Sequence, residues 1–147
     1  MRKSGGFTLV EIMIVVAIIA LIVGITVPSF MRARERSRAT KTANAIRLAA
    51  DAFAMYAADN HRYPDGAGPG VVPTGMGLYL QRIGWTSETP VGGQWQWKGD
   101  QTGGDLTIVQ PTASLETGRD IDAMIDDGDE NAGVFRLTTN HWRYTVE

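Results

Sequence analysis

The chain has 147 residues, 14 Lys plus Arg against 16 Asp plus Glu, no Cys, and a mean hydropathy of -0.11. That length suits one domain of ordinary size, and so balanced a charge gives no electrostatic case for a nucleic-acid protein, which needs clustered Lys and Arg across its binding face. Without cysteine there is no disulfide, no thiolate zinc site and no cysteine nucleophile.

The average conceals two segments. From Phe7 to Met31 the only ionisable side chain is Glu11, whereas the remainder is polar and Gly-rich. A secretory signal would have a core of roughly 7 to 15 apolar residues and a small-residue cleavage site. Leu9 to Val27 is 19 residues long and no A-x-A site follows it before the basic run. As a helix it measures about 28 Å, close to the hydrocarbon thickness of a bilayer. A helix apolar on every side is also too much for the rest of so small a chain to bury, so the expectation is a membrane span. Arg2 and Lys3 precede it and Arg32, Arg34, Arg36 and Arg38 follow it, so the positive-inside rule does not orient it. Glu11 lies three residues inside the span, where a charge is costly and asks for a named partner; a carboxylate snorkelling to the headgroups is the simpler alternative.

The string Lys3-Ser4-Gly5-Gly6-Phe7-Thr8-Leu9-Val10-Glu11, followed by the apolar run with Gly24 and Pro28, resembles the amino-terminal signal of type IV pilins and type II secretion pseudopilins. The resemblance implies cleavage between Gly6 and Phe7 by a prepilin peptidase and methylation of the new Phe7 amine. It also implies assembly into a filament through the apolar helix, with Glu11, Gly24 and Pro28 as assembly residues. The physics is consistent with this. Gly6 carries no side chain to obstruct a protease cleft, and cleavage removes Arg2 and Lys3, leaving a net charge of -4. The freed amine is a cation that a carboxylate such as Glu11 on a neighbouring subunit can pair with in a low dielectric.

Beyond Pro28, residues 29–60 hold no Gly or Pro and are rich in good helix formers, which predicts a long helix. Ala39, Ala43, Ile46, Ala50, Phe53 and Ala57 recur at spacings of four and three and should form its packing stripe. His61-Arg62-Tyr63-Pro64 ends it. Residues 64–77 hold five Gly and three Pro and read as a loop, and Tyr79, Leu80 and Ile83 suit one short helical turn. Strands are expected at 94–98, 106–109, 134–138 and 141–146, the last two joined by a Thr139-Asn140 hairpin turn, with a short helix over 120–127 whose Ile121, Met124 and Ile125 face inward. The fold class is α+β: a ladle whose long amino-terminal helix packs its second half on a small antiparallel sheet. The expected organisation is a leader at 1–6, a transmembrane and assembly helix at 7–30, and a head at 31–147. Residues 59–64 and Thr89-Pro90-Val91-Gly92-Gly93 also resemble the Asn-Gly-Arg-Tyr-Pro and Pro-x-Gly-Gly region of the major pseudopilins, with His61 in place of the usual Gly.

Neither His61 nor His141 has motif-spaced partners for a nucleophile and base, so no enzyme is expected. Trp95 and Trp97 share one strand face and Trp142 and Tyr144 another; such platforms can bind sugars or bases, but core packing is the expectation. Asp126, Asp127 and Asp129 lie in an oxygen-rich turn of the kind Ca²⁺ requires, without EF-hand spacing. Likeness to major pseudopilins implies a calcium site in a carboxy-terminal loop, although no clear copy of that loop is present, and a solvated acidic turn is the alternative. The expected partners are other pilin or pseudopilin subunits, prepilin peptidase, an inner-membrane assembly platform and membrane lipid, with the head in the periplasm or at the cell surface. A membrane-anchored ligand-binding or sensor protein is the rival reading.

Overall fold

The computed structural model describes residues 6–146. Lys3, Ser4 and Gly5 of the amino-terminal motif lie outside the described residues. The chain divides into two compact units, one up to Glu35 and one from Arg36 onward. The elements run α1 (Leu9–Asn60), β1 (Gln94–Asp100), β2 (Gly103–Val109), α2 (Leu115–Ile125), β3 (Phe135–Leu137) and β4 (His141–Val146). A long apolar helix and a small antiparallel sheet are the α+β architecture expected.

In the first unit the helix is apolar all round and its side chains are exposed, from Leu9 at 75% to Met31 at 58%. In the second, the same helix buries Ala39, Thr42, Ala43, Ile46, Ala49, Ala52, Phe53 and Tyr56. Ala39, Ile46 and Phe53 of the expected stripe are central, but Ala50 and Ala57 are only partly buried and Ala49 and Tyr56 take their place. The buried set repeats at 39/42, 46/49 and 53/56, so the seam is centred on the residues before those chosen from sequence. Small Ala side chains tolerate either phase, which is why their pattern alone does not fix it.

Residue 61 stops the helix by adopting φ 57°, the left-handed conformation that favours Gly. Gly adopts that geometry at less cost, so His61 is strained at this position. The chain then runs beside β1: Ala67 N donates to Trp97 O at 3.0 Å and Gly70 N to Trp95 O at 2.7 Å, so the loop covers an edge strand that would otherwise present unpaired backbone groups. Trp97 Nε1 donates to Pro64 O at 2.8 Å and fixes the loop to the sheet. The stretch at 79–83 forms turns rather than a helix, with Leu80 buried and Tyr79 and Ile83 packed against the core. At Thr89-Pro90-Val91-Gly92-Gly93 a tight turn lies against the end of β2. A Cβ on Gly93 would collide with the carbonyl oxygen of Val109, and both glycines have positive φ, so the two glycines are required sterically.

The four strands are ordered β1-β2-β4-β3, all neighbours antiparallel. The third and fourth strands do form the expected hairpin, but β4 inserts between β2 and β3, leaving the three-residue β3 at the edge. Register places Trp95, Ile108, Trp142 and Leu137 in one transverse row and Trp97, Leu106, Tyr144 and Phe135 in the next. The two aromatic pairs therefore share one sheet face, and they are core: Trp95, Trp97 and Trp142 are each at most 1% exposed. Phe53 of α1 stacks on Trp97 with centroids 4.1 Å apart, and Trp85 stacks on Trp95 at 6.0 Å.

Helix α2 begins five residues before the expected 120, because Ser114 caps it, its Oγ accepting from Thr117 N at 3.3 Å. Gly118 lets it approach the sheet: a Cβ there would lie 3.0 Å from Leu137 and 3.2 Å from Trp142. Its buried face is Thr117, Gly118, Ile121 and Asp122, with Met124 and Ile125 only partly buried. Arg47 of α1 donates from Nη2 to the carbonyl of Met124, satisfying the end of α2.

The strain at residue 61 gives a direct test. His61→Gly should stabilise the folded head by about 0.5–1 kcal/mol, read as a rise in the denaturant midpoint with an unchanged slope; a loss of stability would show that His61 makes contacts outweighing its backbone cost.

Candidate functional site

The site is the start of α1 and the apolar helix behind it. Gly6 is exposed and open space surrounds the position a Cβ would take, so the Gly6–Phe7 bond is accessible from the solvent side. Phe7 is 82% exposed. Thr8 is the N-cap residue of α1 and Glu11 stands three residues on. Glu11 N donates to Thr8 Oγ1 at 3.2 Å, while Thr8 N and Thr8 Oγ1 each donate to Glu11 Oε2 at 3.0 Å. This is a capping box: each residue satisfies an amide of the other that the helix geometry leaves without a partner. The carboxylate also sits at the positive end of the helix dipole. Glu11 therefore has a partner within its own chain, a pairing that the Thr-Leu-Val-Glu spacing contains and that sequence reasoning overlooks in favour of the Phe7 amine.

Further along, Gly24 and Pro28 act as one unit. Pro28 lies inside α1 and has no N–H, and the carbonyl it would have bonded is that of Gly24, four residues earlier. Gly24 itself carries a helix cost of roughly 0.8–1 kcal/mol relative to Ala. Thr26 Oγ1 donates to Ile22 O at 2.9 Å, adding a side-chain competitor for the backbone in the same stretch. The helix stays continuous, but residues 22–28 are its weakest segment inside the span.

The acidic turn forms a second, separate cluster. Asp122, Asp126 and Asp127 each offer a carboxylate oxygen, and these oxygens lie within 4.8 Å of one another. Asp129 belongs to the turn's own scaffold: its Oδ1 accepts from Asn131 N at 3.1 Å, and its N donates to Asp127 Oδ1 at 2.9 Å. Asp126 Oδ2 accepts from Phe135 N at 3.2 Å and from Val134 N, which ties the turn to β3. Asp122 is not among the ligands expected from sequence. It is fully buried, neither of its oxygens has a hydrogen-bond partner, and burial together with the charges of Asp127, Asp126 and Asp129 pushes its carboxyl up to about 6. The only sequence signal for it is its spacing of four from Asp126 on a helix. His141 shares the lining of a small cavity with Glu130, Arg136, Thr138 and Arg143.

Comparison with known proteins bears on the first site. Residues 1–27 match the family model described as the prokaryotic N-terminal methylation motif. The chain is 40% identical over 62 residues to type II secretion system core protein G of Escherichia coli K12, covering 42% of this chain and 43% of that protein. It is 36% identical over 63 residues to the same component of Aeromonas hydrophila, covering 43% and 44%. It is 38% identical over 63 residues to the type IV wide pilus major component PilA4 of Thermus thermophilus, covering 43% and 48%. The matched stretch thus spans less than half the length of each of these relatives. No solved structure matches. The chain thus matches the prokaryotic N-terminal methylation motif at its start and is similar, through part of its length, to type II secretion system core protein G and to a type IV pilus component.

Proposed function

We propose that the protein is a structural subunit of a type IV pilus-like or type II secretion pseudopilus filament. It is inserted in the inner membrane by the first half of α1, cleaved between Gly6 and Phe7 by prepilin peptidase, methylated at Phe7, and assembled with other subunits on an inner-membrane platform. The observation that carries this reading is a helix exposed and apolar on all sides, 23 residues or about 34 Å from Leu9 to Met31, that begins at a methylation motif and carries one carboxylate at its start. A simple anchor has no need of Gly6-Phe7 or of Glu11.

The residues divide the work. In the membrane, the capping box with Thr8 keeps Glu11 hydrogen-bonded, which lowers the cost of holding a carboxylate near the hydrocarbon. Cleavage creates an amine at Phe7, immediately before Thr8. An amine on a neighbouring subunit competes for the same carboxylate with a full charge instead of an amide dipole, and that exchange favours only the axial offset at which amine and carboxylate meet. Gly24 and Pro28 supply local give, so that neighbouring helices can pack around the weakened segment without straining the rest of α1.

Two outcomes follow from this division. Replacing Gly6 by a bulky residue should leave the uncut chain in the membrane, and intact-mass analysis of assembled wild-type protein should give a species starting at methylated Phe7; finding residues 1–6 retained in filaments excludes the proposal. Glu11→Val should be cut normally and insert readily yet yield far fewer filaments, scored by electron microscopy and by protein in the sheared fraction. Wild-type assembly by this variant would remove Glu11 from the assembly mechanism.

A further inference from the structure

The hairpin of β3 and β4 sets two arginines side by side. Arg136 is the register partner of Arg143, so both side chains leave the same face of the sheet at directly opposed positions, where like charges repel. Neither charge is well matched within the chain. Arg143 Nη1 reaches Asp105 Oδ2 at 3.5 Å, a loose single contact, and Asp105 also accepts from Thr145 Oγ1 at 2.9 Å. Arg136 makes no ion pair among the described residues, and its Nε donates to Gly133 O at 3.3 Å.

Both arginines line a cavity of about 220 Å³, together with His141, Thr138, Leu137 and Glu130. Backbone hydrogen bonds fix its walls: Thr138 N donates to His141 O at 3.0 Å, and Leu137 N to Glu130 O at 3.0 Å. Glu130 is the acid of the lining, and Arg119 Nε already holds its Oε2 at 2.8 Å. The cavity therefore presents two guanidinium groups with no free carboxylate between them.

We propose that this cavity binds a small hydroxylated acid, its carboxylate or phosphate group held between Arg136 and Arg143. A guanidinium is a planar fork of N–H donors that matches two oxygens at a time, and an anion between two such forks replaces a repulsive pair by two attractive ones. The rest of the lining selects the body of the ligand. Thr138 and His141 offer further hydrogen-bonding groups and Leu137 an apolar wall, which suits a polyhydroxy body with one carbon-rich side. The volume lies below the roughly 300–1,000 Å³ of pockets for drug-sized ligands, so the ligand is of monosaccharide size, such as a uronic acid or a sugar phosphate. The site lies wholly in the head and requires neither cleavage at Gly6 nor assembly.

Thermal unfolding of the full chain in detergent micelles tests this, followed by tryptophan fluorescence because Trp85, Trp95, Trp97 and Trp142 are all buried in the head. Glucuronate or glucose 1-phosphate should raise the melting temperature saturably, and whichever acts identifies the acid group; neutral glucose, and chloride at matched ionic strength, should not. Arg136→Gln should raise the half-saturating concentration by about tenfold or more, whereas Arg82→Gln, at an exposed arginine outside the cavity, should keep the wild-type response. Should Arg136→Gln fail to fold, Arg136→Lys decides, since it keeps the charge, loses the fork and should still weaken the response. A response to neither acid, a chloride effect as large as theirs, or an undiminished response in the Arg136 variant overturns the proposal.

Discussion

The first half of α1 is the constraint on which the rest depends. Seventeen large apolar side chains between Phe7 and Met31 are exposed, each worth about 1.5–3 kcal/mol when buried, so on the order of tens of kcal/mol favour any environment that removes this helix from water. No face of it is polar enough to stay wet. A bilayer would meet that demand for one subunit, and in the proposed filament the apolar helices of other subunits would meet it. Were the same surface to serve both, as proposed, transfer from lipid to filament would cost little hydrophobic free energy, and what distinguishes the two environments would have to come from the few polar and irregular positions the helix contains.

Those positions are Thr8, Glu11, Gly24 and Pro28. The capping box gives Glu11 hydrogen-bond partners within its own chain, which its isolation in the apolar run does not suggest. The two roles are compatible, since a capping carboxylate accepts from neutral donors and remains able to meet a cation. Gly24 and Pro28 similarly look like two weak helix residues until the four-residue spacing shows that the missing donor of one leaves the carbonyl of the other without its bond. Local defects in an otherwise uniform helix are where specificity can reside.

Much of the head is legible in the sequence because its signals are strong and local. Trp95 and Trp97 at period two, β-branched 106–109 and the alternating 141–146 are strands in the structure, and Pro64 marks the end of α1 as expected. What escapes is decided by packing at a distance. Helix α2 starts at Leu115 through a Ser114 cap, and its Gly118 gains close approach to Leu137 and Trp142. Insertion of β4 between β2 and β3 is a topological choice that no single strand encodes. Asp122 is hidden for the same reason: an acid within DIDAMIDD reads as a solvent-facing residue, and only the docking of α2 buries it. The acidic turn itself is legible, but the carboxylates that the fold gathers within 4.8 Å of one another are Asp122, Asp126 and Asp127.

The central claim, that the first half of α1 is buried against other copies of itself in an assembly, can be measured because the chain lacks cysteine. A single cysteine placed in turn at exposed positions such as Val16, Ile19 and Ile22, followed by a short bismaleimide cross-linker applied to surface-sheared material, reports directly on which helices touch. Covalent dimers and a ladder of larger species are expected at a periodic subset of these positions, and they should vanish when assembly is blocked. Monomer alone at every position in assembled material would contradict the claim, and would place the contacts that build the assembly in the head.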